Sequence, residues 1–357
     1  MVSFEEQRIL NIGQTLDALM TADIHSRGII KPIYDNMFAK VGKPLSTNAA
    51  GKLLEAMKGR ENPIVLIGTG FLVKPTLRPE TDGPISSALL ARAVSILGGT
   101  PVIVSEINSM DVLRAACTEA ELIVADTVEE AIERPHSVAL VVMPQASRKE
   151  ATKEVIDKML SLSPAGMVSI EHPGKADDGK YYSLLGYELK DWPGAVDDLM
   201  DLVGEQGGCT IGIGDGGNEA GMGFAKPELD HIVPYGSLIG VAGTCKAPII
   251  ASISEYGAYA LIAALEFISG KKVLQSPDLE ERVLRAAVRA GSVCGCSGRP
   301  VAAIDMTDIE YIRSYVNMLQ CSVSLTLKFS PTRPFFIDFC RGADVGEPGS
   351  CSGGHGK

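Results

Sequence analysis

From Cys209 the chain reads Cys-Thr-Ile-Gly-Ile-Gly, then breaks into Asp-Gly-Gly-Asn-Glu-Ala-Gly-Met-Gly and ends the motif at Gly223. The first part is apolar and β-branched, as a buried strand is. The second part is a turn, because five of the ten residues from Gly214 to Gly223 are glycine. Glycine serves where φ must be positive or where backbone must approach another group closely. Asp215 and Glu219 sit among those glycines, with the amide of Asn218 beside them. A loop without bulk that carries two acids at a strand end is how α/β proteins build ligand and metal sites.

The same pattern recurs. Residues 63–70 are a continuous apolar run entering a glycine turn, which suits a parallel strand covered on both faces. A loop with Glu80-Thr-Asp82-Gly-Pro84 follows, and Pro84 opens a helix to Leu97 at the favoured first position. Further strands are expected at 101–105, 122–125, 138–143, 167–171, 238–242 and 248–253. Helices are expected at 110–117, 149–162, 195–203, 256–268, 279–290 and 309–319. Alternation of this kind predicts an α/β fold: a mostly parallel, doubly wound sheet with helices on both faces. Residues 1–61 read as an N-terminal helical segment with helices at 4–20, 27–38 and 46–57, either a cap over the site or an oligomerisation element of a homo-oligomer. Residues 62–341 form the α/β catalytic region, either one unit or two lobes divided near 172–208. Residues 342–357 read as a disordered Gly/Ser-rich tail. Gly68-Thr-Gly70 is no dinucleotide fingerprint, since the third glycine is missing and a proline-rich loop replaces the helix.

Charge narrows the partners. Thirty-three basic against 44 acidic side chains leave a net charge of −11, with no basic excess to neutralise the phosphates of a nucleic acid. A metal cation or a small anion held through one suits this balance better. Eight cysteines, at 117, 209, 245, 294, 296, 321, 340 and 351, include no Cys-x-x-Cys pair. This suggests a reducing cytoplasm without disulfides. The polar, acidic start of the chain reads as no signal peptide, and no apolar run is long enough to span a bilayer, so no membrane partner is expected.

Acids stand where strands end: Asp82 after the first, Glu171 at the end of 167–171, Asp215 and Glu219 after 209–213. Strand ends of a parallel sheet share one edge, so these loops can converge. Converging carboxylates repel, which raises their pKa or demands a cation. Oxygen-only ligands suit Mg²⁺, Mn²⁺ or Ca²⁺ rather than zinc. Asp82, Glu171, Asp215 and Glu219 are the expected metal ligands. His172 is a candidate nitrogen ligand or acid/base, whereas His25 and Arg27 read as surface.

Taken together, Ile67-Gly-Thr-Gly-Phe71, Glu80-Thr-Asp-Gly-Pro84, Glu171 followed by Gly179-x-Tyr-Tyr182, Ile213-Gly-Asp-Gly-Gly-Asn-Glu-x-Gly-Met-Gly223 and Gly257-Ala-Tyr-Ala260 resemble the D-glutamate cyclase-like family. The resemblance covers roughly 60–320. Glu255-Tyr256 departs from it, standing where many members have Asn-Trp. The resemblance implies conversion of D-glutamate to 5-oxo-D-proline and water, with a divalent cation, Mn²⁺ or Mg²⁺, as cofactor. A metal-dependent phosphatase acting on a small phosphorylated metabolite and a non-enzymatic binder of an acidic metabolite are the alternatives. In the cyclase reading Glu80, His172 and Asp215 are the catalytic candidates, with Glu80 or His172 handling protons. Arg78 or Lys74, Thr69, Gly216, Gly217 and Asn218 would hold the substrate's anionic groups.

Overall fold

The structure, a computed structural model, describes residues 4–328; the expected tail at 342–357 lies outside them. The strands are β1 (Ile64–Thr69), β2 (Leu72–Val73), β3 (Arg78–Pro79), β4 (Thr100–Ser105), β5 (Ile123–Ala125), β6 (Ser137–Val142), β7 (Gly166–Ile170), β8 (Cys209–Gly214), β9 (Ala247–Ile250), β10 (Ala303–Ile304) and β11 (Thr307–Asp308). Seven of them form one sheet in the order β5-β6-β4-β1-β7-β8-β9. Every pairing in it is parallel. The chain leaves β1 toward β4 on one side and later returns to place β7 on the other. The order therefore reverses between β1 and β7, and the crevice beyond the strand ends at such a point is where α/β sheets bind ligands.

The helices are α1 (Phe4–Met20), α2 (Ile30–Val41), α3 (Leu45–Met57), α4 (Pro84–Leu97), α5 (Met110–Glu119), α6 (Val128–Glu133), α7 (Lys149–Ser161), α8 (Val196–Glu205), α9 (Lys226–Ile232), α10 (Gly236–Ile239), α11 (Ser254–Ser269), α12 (Pro277–Arg289) and α13 (Ile309–Lys328). Strand alternation divides them between two faces. Val65 and Ile67 point into the larger core with α3, α4 and α11, while Ile64 and Leu66 point into a second core with Val128, Ile156 and Leu199 of α6, α7 and α8. The apolar sequence of α11 is buried nearly all round, as expected of a helix in the middle of a layer. The N-terminal helices share the larger core through Ile12, Leu16 and Leu53.

Two sequence expectations shift. Leu238–Ala242 is not a strand: the short helix α10 occupies Gly236–Ile239, and only Val241 pairs, with Ala176, in an isolated bridge. A five-residue apolar run carries no period that separates the two states. The second helix starts at Ile30, not Arg27, because the Asp23 carboxylate takes the N–H groups of Arg27 (2.9 Å) and Gly28 (2.6 Å) and holds a turn there. The described cysteines, 117, 209, 245, 294, 296 and 321, are all free; Cys340 and Cys351 lie outside the described residues. No helix among the described residues is long and apolar enough to cross a membrane.

Inside the larger core, the Tyr259 hydroxyl contacts Glu255 (3.1 Å) and Glu280 of α12 (2.6 Å), and Gln275 donates to Glu280 (3.3 Å). Burial, then the charge of Glu255, pushes the Glu280 carboxyl up to about 8. A carboxyl whose folded pKa exceeds its unfolded value binds more protons in the folded state, so stability falls as pH rises between the two values. The wild type is therefore expected to lose about 1.4 kcal/mol per pH unit through this group between roughly pH 5 and 8. Glu280→Gln should remove that slope; denaturant melts at several pH values check it, and parallel slopes in the two proteins would contradict it.

Candidate active site

The loop after β1 brings in the first acids. The β2–β3 ribbon folds it back, and the Glu80 N–H donates to Phe71 O at 3.0 Å. Thr81 is pinned by its N–H to Val293 O (2.8 Å) and by its hydroxyl to Ala303 O (2.8 Å). Asp82 then accepts the N–H groups of Ser254 (3.2 Å) and Glu255 (2.8 Å), the first of α11. Glu255 answers by accepting those of Gly83 (3.0 Å) and Ser86 (2.8 Å) at the start of α4. Each carboxylate thus satisfies orphan donors of the other's helix.

The glycine-acid loop after β8 is organised by its own glutamate. Glu219 accepts the N–H groups of Asp215 (3.1 Å), Gly216 (2.7 Å) and Gly217 (2.7 Å). Gly214 has to be glycine because a Cβ there would strike the Glu219 carboxylate, and Gly217 combines a φ of 86° with a Cβ direction blocked by Leu229. Glu171 comes from the neighbouring strand end. It holds a φ of 45°, rare for a residue with a Cβ. Its carboxylate takes the Ser254 hydroxyl. The two loops are zipped together by Ala220 N–H to His172 O (2.8 Å) and Gly174 N–H to Asn218 O (3.0 Å).

Two further elements reach the same point. Asp305 and Met306 form the tip of the β10–β11 hairpin, both with positive φ. Arg27, from the turn before α2, donates to Asp215 Oδ2 at 2.7 Å. The result is two overlapping carboxylate sets, Asp82–Asp215–Asp305 and Glu171–Asp215–Glu219, with the candidate ligand atoms in each within 4.8 Å of one another. Asp215 belongs to both. Arg27, Glu80, Glu171, Asp215, Asn218, Glu219 and Asp305 line a cavity of about 960 Å³, whose remaining wall includes Phe71, Leu72, Leu184 and Leu189.

Crowding shows in the acidity of these groups. Burial, then Asp305 and Asp215, holds the Glu80 carboxyl well above the ordinary carboxylate range. Burial and Glu171 do the same to Asp82, and burial with Glu219 and Asp215 to Glu171. Glu219 is pushed up to about 7 by burial and Asp215, against the lowering pull of its backbone donors. Asp305 is pushed up to about 6 by burial and Asp215. One Glu80 oxygen, Oε1, is buried with no partner in the protein. A hard, oxygen-seeking cation fits such a donor set.

The residues expected from the sequence divide by position. Glu80, Glu171, Asp215, Asn218 and Glu219 line the cavity; Asp82 sits behind it and joins through Asp215. His172 does not reach it: the ring is fully buried, with Nδ1 2.9 Å from Pro173 O and Nε2 2.8 Å from Glu106 Oε1. Both nitrogens face acceptors; burial pulls the pKa down, but Glu106, Asp197 and Pro173 O together leave it raised. Arg78 is exposed and its guanidinium lies against Gly291. Thr69 is buried behind Gly83. The Gly216 and Gly217 amides are turned onto Glu219 instead of a ligand. The basic side chains on the cavity wall are His25, Arg27 and Lys74, so His25 and Arg27 are site residues where the sequence read them as surface. Arg27 and Asp305 carried no sequence signal: one sits in a polar N-terminal stretch, the other in a hairpin turn built without glycine or asparagine.

These roles separate by mutation. Glu219→Ala is expected to lose Mn²⁺ binding and also about 2 kcal/mol or more of stability, because it strips three backbone donors of a charged acceptor. Asp215→Ala should lose Mn²⁺ binding while stability stays within about 1 kcal/mol, since the lost ion pair with the largely buried Arg27 is offset by relief of the repulsion that Asp215 exerts on Glu80, Glu171, Glu219 and Asp305. Chemical denaturation and titration calorimetry on both variants give the comparison; equal stability losses would contradict the division.

The sequence is similar to that of known proteins. The mitochondrial D-glutamate cyclase of Homo sapiens is 30% identical over 230 residues, 63% of this chain and 35% of that protein, so this chain spans about a third of that relative's length. The family described as D-glutamate cyclase-like, C-terminal, matches residues 16–320, from α1 to α13 and through every loop of the cavity. On that span the chain belongs to the D-glutamate cyclase-like family.

Proposed function

We propose that this chain cyclises D-glutamate to 5-oxo-D-proline with release of water, assisted by Mn²⁺ or Mg²⁺. The observation that carries the reading is Asp215, shared by two buried carboxylate sets at the sheet's switch point in a chain of this family. The human relative's name supplies the substrate. Asp82, Glu171, Asp215 and Glu219 would hold the cation, with Asp305 as a further oxygen. When bound, the ion supplies Lewis-acid charge to polarise the γ-carboxylate.

The chain's own groups account for the rest. The substrate's ammonium meets a wall rich in carboxylates, and its own carboxylates meet Arg27 and Lys74. Closing the ring requires the α-ammonium to lose two protons and the departing carboxylate oxygen to gain two, so that it leaves as water. Glu80 lines the cavity and has an oxygen free of protein partners, so it is the side chain placed to exchange a proton. His172 acts at a distance: its bond to Glu106 fixes the loop that carries Glu171. The phosphatase alternative has no observation in its favour.

Incubation with D- and L-glutamate and added Mn²⁺ or Mg²⁺, with chromatographic detection of 5-oxoproline, tests the reading. Product from the D-isomer that disappears with chelator and in Asp215→Ala is expected; no product with either metal would refute it. Arg27→Gln should leave Mn²⁺ affinity equal or tighter, because a cation beside the ion is gone, while KM for D-glutamate rises about tenfold or more from the lost charge-assisted contact. An unchanged KM would place Arg27 outside substrate binding.

A further inference from the structure

The cavity exceeds what a five-carbon amino acid fills. Its volume of about 960 Å³ lies near the top of the roughly 300–1,000 Å³ range that suits drug-sized ligands. Its lining is of two kinds. Beside the acids and Arg27 stand Phe71, Leu72, Leu184, Leu185 and Leu189. Leu72 and Leu189 are anchored in a small core with Tyr181 and Trp192, against which Phe71 packs. Leu185 and Tyr187 are each 67% exposed. Apolar surface left open next to a charged site marks a place where something apolar is bound.

We propose that this wall receives the leaving group of a second substrate class, the γ-amides of D-glutamate whose nitrogen carries an alkyl or aryl substituent. The inference rests on the cyclase reading of the same site. Chemistry selects the γ-position for the apolar group. A substituent on the α-amine would block the nucleophile. One on the α-carboxylate would remove a charge that Arg27 can bind. A substituent on the γ-carbonyl leaves with the reaction. The α-nitrogen attacks the γ-carbonyl carbon, the ring C–N bond forms, and the bond to the amide nitrogen breaks. The proton lost by the α-amine ends on the departing nitrogen. The products are 5-oxo-D-proline and a free apolar amine, with no co-reactant needed.

The γ-benzylamide of D-glutamate is the probe, with D-glutamine as the amide without an apolar group and D-glutamate run in parallel. Release of 5-oxoproline and benzylamine is followed by chromatography in the presence of Mn²⁺. The expected result is a kcat/KM for the benzylamide at least tenfold above that for D-glutamine. Leu185→Ser, at an exposed position, should shrink that ratio at least threefold; Val73→Ser, on the same cavity wall, is a second variant if the first melts early. D-glutamate turned over with the benzylamide no faster than D-glutamine overturns the inference and leaves the cyclase reading standing. An unchanged ratio in both variants also overturns it. Turnover of the benzylamide but not D-glutamate upholds the inference and removes D-glutamate as the substrate. No turnover of any of the three overturns both.

Discussion

Asp82 and Glu255 exchange helix caps across 173 positions of sequence, and the site depends on that exchange. Asp82 precedes α4 but satisfies the first N–H groups of α11, and Glu255 opens α11 but satisfies those of α4. Both helices pack on the same face of the sheet, inside the larger core. Their N-termini carry partial positive charge, and each receives a buried carboxylate. The loops after β1 and β9 are thereby locked to one another. Ser254, in the same first turn, extends the lock to Glu171 after β7. Three strand ends are tied by one helix start, so the arrangement of acids is a property of the core and not of mobile loops.

The position that departs from the family resemblance gains a reason here. Glu255 replaces an expected asparagine, and its carboxylate reaches both Gly83 and Ser86 while also touching Tyr259. A shorter amide could not accept all three in the same way, since one of its two terminal atoms is a donor. The substitution adds a buried acid, and burial pushes that acid up to about 7. Its role is in holding α4 to α11; it is not among the residues that line the cavity.

How much the sequence disclosed follows from the range of each interaction. Strands ending in acids could be read because apolar continuity and glycine turns are local, and β1, β4, β6, β7 and β8 fall where that pattern places them. Parallel order then put Asp82, Glu171, Asp215 and Glu219 on one edge. The partners of those acids are long-range, and nothing local announces them. Arg27 is 188 positions from Asp215, in a stretch that reads as surface. Asp305 turns inward through positive φ at itself and at Met306, and methionine is a residue that does not favour it. His172, adjacent to Glu171, looked like a site residue. The alternation of side chains beyond β7 instead sends it to the opposite side, against Glu106.

Glu219 shows how one residue type serves two ends. Its oxygens take three backbone donors, which makes the glycine turn a rigid cradle and offsets part of the pKa rise that burial imposes. Those donors are spent on the protein, so the loop cannot bind an anion as a phosphate loop does, despite its glycines. It presents carboxylate oxygen to the cavity instead. Asp215 differs: Oδ2 meets Arg27, and neither oxygen takes a backbone donor from its own loop. A fixed carboxylate and an available one, held four residues apart with Glu171 and Asp305 on either side, form a surface that attracts cations and repels bare anions. An anionic substrate can approach such a surface only where positive charge offsets it. Arg27 supplies one such charge from the protein, and the donor set is suited to a second from a divalent ion.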